Sequence, residues 1–143
     1  MLFRSIGNGR ECGIVPDWVF GIEVADKSGR KDTHWFFLEA DRGTMPIVRE
    51  DFDRTSILRK LLAYEATWKQ DIHQKRFQWN RFRVLTVTTN PQRVQGMIDA
   101  CRQLNHARGS FLFTDVQTIR RESDLLLLNW RTVHGKLTAA LLD

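Results

Sequence analysis

Hydrophobic and polar residues alternate in two neighbouring stretches early in the chain. From Trp18 to Val24, the apolar Trp18, Phe20, Ile22 and Val24 share one face, and Asp17, Val19, Gly21 and Glu23 share the other. From Thr33 to Thr44, Trp35 and Phe37 lead to Glu39 and Asp41 on one face. Phe36, Leu38 and Ala40 take the opposite face, and Gly43 ends the run. The polar turn Asp26 to Asp32 between these stretches predicts an antiparallel hairpin. Such pairing brings Asp17, at the start of one strand, near Glu39 and Asp41, at the end of the other.

Further along, the periodicity changes from two to about 3.6. Ile57, Leu61, Tyr64, Glu65 and Trp68 predict a helix from about Ser56 to Gln70, capped by Asp53, Thr55 or Ser56. Lys60 and Tyr64 lie one turn apart on its side. Asp71 to Arg81 reads as a basic loop with aromatics interleaved. Phe82 to Thr88 is a strand, and Asn90-Pro91 opens a helix expected to reach about Leu104. Ser110 to Val116 is a further strand. Leu125 to Trp130 is expected as a strand or short helix, and Lys136 to Asp143 as a terminal helix. Residues 1–15, spotted with Gly7, Gly9 and Gly13, read as an irregular segment. The order predicts an α/β fold: a mixed sheet that opens with an antiparallel hairpin, flanked by crossover helices.

Composition narrows the class. The 143 residues, 42% of them hydrophobic, suit one domain with a real core. A net charge of +5 favours a polyanionic partner. Cys12 and Cys101 have neither metal-type nor redox-type spacing and read as reduced thiols. No apolar run could span a bilayer and the start has no signal-peptide pattern, so the expected setting is cytoplasmic with no membrane partner.

The candidate chemistry centres on Asp17, Glu39 and Asp41. Hard divalent cations such as magnesium take oxygen ligands, and carboxylates converging at a strand end can hold one. A cation so held activates water and stabilises charge developing on a phosphate. Lys60 could supply a second positive charge there, with Tyr64 leaning over the same strands. The plain alternative is a solvated strand end whose acids pair with Arg42 and Arg49. Lys75 to Arg83 mixes basic residues with Phe77, Trp79 and Phe82, a pattern suited to phosphate contact and base stacking, or to a charged loop whose rings fold inward. The nucleic-acid candidates are Arg42, Lys75, Arg76, Trp79 and Arg81. The four histidines lack zinc spacing and read as incidental. Neither a phosphate-binding P-loop, a dinucleotide fingerprint nor a nucleophile elbow is present.

Pro16-Asp17, Phe37-Leu38-Glu39-Ala40-Asp41-Arg42-Gly43-Thr44, Lys60 to Tyr64, Phe82 to Thr89, Arg93 and Phe111 to Thr114 together resemble the replication-relaxation family of plasmids and other mobile elements. The resemblance implies a bacterial DNA-associated protein acting in plasmid replication and DNA relaxation, with replication or mobilisation proteins as partners. Family members usually carry an upstream winged-helix domain, and this sequence starts shortly before Pro16-Asp17. The layout is also similar to the PD-(D/E)XK core, which implies a restriction-endonuclease-like fold. Asp17 and Glu39 match its acidic positions, while Asp41 stands where that pattern has lysine. Lys60-x-x-x-Tyr64 looks like the QxxxY helix motif of RecB-type nucleases, with lysine in the glutamine position. Lys60 is then either a migrated catalytic lysine or the mark of a degenerate site. The resemblance thus implies a magnesium-dependent endonuclease or nickase using Asp17, Glu39, Asp41, Lys60 and Tyr64, or a non-catalytic DNA- or partner-binding module of the same fold.

Overall fold

The computed structural model describes residues 2–6, 10–49, 56–105, 108–134 and 137–142. Its centre is the expected hairpin, β3 (Trp18–Ala25) and β4 (Lys31–Ala40), preceded by β1 (Leu2–Ile6) and β2 (Arg10–Ile14). Trp18 lies opposite Leu38 and Ala25 opposite Lys31. Asp26 closes the turn, its Oδ1 accepting the Ser28 N–H at 2.8 Å and the Arg30 N–H at 3.0 Å. The chain then runs through α1 (Ile57–Lys69) and α2 (Ile72–Phe77) to β5 (Phe82–Thr88), which lies parallel to β4. Next, α3 (Pro91–Ala100) leads to β6 (Phe111–Asp115), parallel to β5. After α4 (Val116–Arg121), the antiparallel β7 (Trp130–Thr132) and β8 (Leu137–Ala139) complete the sheet β3-β4-β5-β6-β7-β8. The result is a mixed sheet flanked by helices, as the order of elements predicts.

Parallel strands are stable when both faces are covered. On one face, Phe37, Phe82, Val84, Phe111 and Phe113 pack against Ile57, Leu61 and Tyr64 of α1 and Val94, Met97 and Ile98 of α3. On the other, Phe36, Leu85 and Leu112 pack with Leu128, Trp130 and Leu141. That is why β6 is buried at every position and why its sequence, Phe-Leu-Phe-Thr-Asp, shows no alternation. Ser56 caps α1 by accepting the Arg59 N–H, and Asn90 caps α3 by accepting the Arg93 N–H, with Pro91 at the first turn. Asp53 and Thr55, the other expected caps, lie outside the described residues.

Four expectations are corrected. The described residues of the segment 1–15 are not irregular: β1 and β2 pair antiparallel, Leu2 opposite Ile14 and Ile6 opposite Arg10, and pack on α1. A short strand needs only a partner edge and a surface to lie on, and docking supplies what local glycines disfavour. The expected loop 71–81 holds the helix α2, entered and left through residues with positive φ, Asp71 at 53° and Gln78 at 59°. The C-terminal region forms the strand β8 and no described helix, because the antiparallel edge of β7 captures it. Helix α3 stops at Ala100 in a tighter 3-10 turn, Cys101–Gln103, rather than reaching Leu104. Among the described residues no helix is long and apolar enough to cross a membrane.

Candidate functional site: carboxylates at the ends of the parallel strands

Glu39 sits near the end of β4, opposite Thr86 of β5, and is only 6% exposed. A carboxylate so buried is costly unless its oxygens are satisfied. Both are satisfied from α1: Lys60 Nζ donates to Oε2 and the Tyr64 hydroxyl to Oε1, each at 2.6 Å. The two donors reach one carboxyl group because they sit one helical turn apart. Tyr64 is fully buried, and its ring packs 5.5 Å from Phe37. Burial first, then the charge of Glu39 and its hydrogen bond, push the phenol far above its ordinary value. Tyr64 is therefore a fixed neutral donor.

Asp17 reaches the same place from the neighbouring strand. Its N–H donates to the Leu38 carbonyl at 3.1 Å, and its Oδ2 accepts the Ala40 N–H at 2.8 Å. The charge of Asp17 also contributes to raising Tyr64, which places it electrostatically beside the Glu39 pair. A cleft of about 190 Å³ is lined by Asp17, Glu39, Ala40, Asp41, Arg42 and Lys60, with Ile57 from the first turn of α1. It opens at the carboxyl ends of parallel strands, where ligands bind in open α/β sheets.

Asp41 lines this cleft too, but its side chain is committed elsewhere. Arg93 of α3 grips it with two nitrogens, Nη2 meeting Oδ1 at 3.0 Å and Nε meeting Oδ2. Thr88 Oγ1 adds a bond to Oδ2 at 2.6 Å, and the Gly43 N–H one to Oδ1 at 3.2 Å. Burial alone would raise the Asp41 carboxyl. The hydrogen bonds from Arg93, Thr88 and Gly43, with the charge of Arg93, outweigh it and hold the group below its ordinary value. Arg93 also donates to the Met45 carbonyl. The turn between them needs Gly43, whose φ is +81° and where a Cβ would meet Thr89 at 3.3 Å.

The plain reading of a solvated strand end does not survive this geometry, since Glu39 is buried and the cation on Asp41 is Arg93 rather than Arg42 or Arg49. Thr88 and Arg93 were absent from the candidates. Both fall within the residues that carry the family resemblance, but a role at the site follows only from their place at the end of β5 and the first turn of the helix after it, once β4 and β5 are known to be parallel. Among the described residues no three His, Cys, Asp or Glu side chains form a metal-ligand group. Glu39 and Asp41 are each engaged on both carboxylate oxygens. By donor chemistry a hard cation with water completing its shell would fall to Asp17 and to the Glu39 Oε2 that Lys60 would have to release, whereas Asp41 is gripped by Arg93 through two nitrogens.

The nucleic-acid candidates divide between two ends of the molecule. Arg42 lines the cleft. Lys75 and Arg76 lie in the last turn of α2, and Trp79 and Arg81 lie between α2 and β5. Trp35 is paired with Phe82 at the entry to β5, so this group sits where the parallel strands begin. At a rise of about 3.3 Å per residue, Trp35 is roughly 13 Å from Glu39 along β4. Trp79 is not an open stacking platform: its ring stacks on Trp35 at 4.4 Å and on Phe77 at 4.7 Å. Among the histidines, His73 is buried against Trp68 and Phe82, a core role.

The fold and site define a mixed α/β protein with an acid–acid–lysine cleft at the carboxyl ends of its parallel strands. Compared with family models, curated proteins and solved structures, the chain matches none.

Proposed function

We propose that this chain is a DNA-associated protein with a nuclease-like, restriction-endonuclease-type core, acting in the replication and relaxation of a plasmid or other mobile element. The observation that carries the reading is Glu39, buried at a strand end and clamped by Lys60 and Tyr64, with Asp17 beside it across the hairpin. The order of hairpin, helix and parallel strand supports the same class of core. Magnesium, when bound, would supply Lewis acidity and a more acidic water, and Asp17 and Glu39 are the residues suited to hold it. Lys60, 28% exposed at its side chain, is the more accessible member of the clamp and would turn toward a phosphate while Tyr64 keeps Glu39 oriented. Asp41 is a positioning residue: through Arg93 it fixes the turn that carries Arg42 to the cleft. The net charge of +5 favours the DNA backbone.

A second reading has its own support. Both acids at the end of β4 already have a cation, Lys60 on Glu39 and Arg93 on Asp41, which is the pattern of a non-catalytic module that binds DNA or a partner protein. Incubation of the protein with supercoiled plasmid and magnesium or manganese separates the two. Nicking that disappears in Glu39→Ala is expected of the nuclease. Salt-sensitive binding without nicking assigns the chain to the second class, and absence of both overturns the DNA reading.

A further inference from the structure

The far end of the sheet holds a second constellation that the carboxylate cleft does not use. Trp35 lies against Gly21, where a Cβ would come within 2.9 Å of the indole. Trp79 stacks on Trp35 with an interplanar angle of 10°, and Phe77 stacks on Trp79 at 28°. The rings therefore form a ladder built outward from the sheet, and its last rung, Phe77, is 39% exposed. Exposing an aromatic ring costs free energy that burial would recover, and this one ends a stack whose inner members pack against the core.

Beside the inner rungs of the ladder is an open polar hollow of about 550 Å³, lined by Trp35 and Trp79 with Lys31, Asp32, Gln78, Asn80 and Arg81; Phe77 is not part of its lining and meets it through Trp79. Its amides, Gln78 and Asn80, each carry donors and an acceptor suited to a base edge. Lys75 and Arg76 flank Phe77 in the same turn. The carbonyls ending α2 do not face the hollow unmet, since Gln74 and His73 accept the N–H groups of Gln78 and Trp79. Two acids are nearby: Asp32 lies 3.7 Å from Arg81, and Glu23 2.7 Å from Lys31. Both pairs are more than half exposed on each side, so they hold their cations weakly and a phosphate can compete for them.

We infer that Phe77 and the adjoining hollow form a binding site for unpaired nucleic acid, in which a base stacks on the last rung and Arg81 and Lys31 meet the backbone. Base stacking on an aromatic face with flanking cations is the usual chemistry of sequence-tolerant single-strand binding. A base within a duplex has both faces covered and cannot reach a ring at the end of such a ladder. The inference rests on the reading of the chain as a DNA-associated protein, but it concerns the opposite end of the parallel strands from Glu39.

The test is fluorescence anisotropy with a labelled 20-nucleotide oligothymidine at low and moderate salt. Wild type is expected to bind, Phe77→Ala to lose about ten-fold or more in affinity, and Phe77→Tyr to recover most of it. Arg81→Gln is expected to weaken binding and flatten the salt dependence. Arg120→Gln, which removes an exposed cation on α4 that lines neither site, should bind the oligonucleotide like wild type, and thermal melting checks that each variant folds. The inference is overturned by wild-type affinity in Phe77→Ala, by an equal loss toward a 20-base-pair duplex, or by no binding of the oligonucleotide at all. Plasmid nicking and its dependence on Glu39 are read separately, so failure here leaves the cleft's reading to its own experiment.

Discussion

The hydroxyl of Tyr64 lies 2.6 Å from Glu39 Oε1, inside a protein where the tyrosine has no exposed surface. Removing that hydroxyl leaves a buried carboxylate oxygen without its donor while changing almost no volume. Tyr64→Phe is therefore expected to destabilise the protein by about 1–3 kcal/mol, as read by urea denaturation. Tyr64→Phe combined with Glu39→Gln should cost less than the sum of the two single changes. Additive losses would show that the bond contributes nothing of its own.

Magnesium gives a prediction that does not depend on catalysis. If Asp17 and Glu39 hold the ion, magnesium at ten times its dissociation constant stabilises the fold by about 1.4 kcal/mol, and the midpoint of thermal melting rises with metal concentration. Asp17→Asn and Glu39→Gln should each abolish that rise, and Asp41→Asn should leave it in place. A wild-type midpoint indifferent to magnesium favours the non-catalytic module.

The Asp41–Arg93 pair predicts a particular acid limb of stability. Asp41 titrates below its ordinary 3.8 in the folded protein, so the unfolded chain binds the proton more readily. Its contribution is complete above about pH 5 and declines as the pH falls through 3.8 toward the folded value. Asp41→Asn should lower stability at pH 7 and make the profile flatter between about pH 5 and pH 2. Equal slopes for wild type and variant in denaturation curves would remove Asp41 from the account.

Arg93→Ala leaves Asp41 buried without its cation, at a cost of about 3–5 kcal/mol. Hydrogen exchange at Gly43 and Met45 should accelerate with it, because Arg93 ties Asp41 to the Met45 carbonyl. Gly43→Ala should strain the same turn by about 1–2 kcal/mol, since its φ is +81° and Thr89 is close. A wild-type exchange pattern in both variants would mean that the turn is held by other contacts.

Among the nucleic-acid candidates, Arg42 is the one that lines the cleft. Arg42→Ala is expected to weaken plasmid binding and to reduce the slope of affinity against salt by about one charge. An unchanged slope would take Arg42 off the DNA path.

Much of this was open to reading along the chain. The alternation in Trp18 to Val24 and Thr33 to Thr44 predicted a hairpin that brings Asp17 near Glu39, and β3 and β4 do pair antiparallel, Trp18 opposite Leu38 and Val19 opposite Phe37. The Lys60–Tyr64 spacing likewise put both donors on one side of α1. The reading failed where a segment's shape comes from its neighbour. β1, β2 and β8 are short strands defined by the edges that accept them, and local composition says little about such edges.

The sequence by itself determined the hairpin, the approach of Asp17 to Glu39 across it, and a helix that carries Lys60 and Tyr64 one turn apart on one side. Those follow from side-chain periodicity, which is a property of the backbone and extends only to residues in the same or adjoining elements. Tertiary structure alone decided that Asp41 answers to Arg93, 52 residues away. It also decided that Arg42 faces the cleft while the other basic candidates gather around a ring stack at the opposite end. Both outcomes depend on β5 lying parallel to β4, since that choice sets which strand ends and loops become neighbours, and no local pattern encodes it.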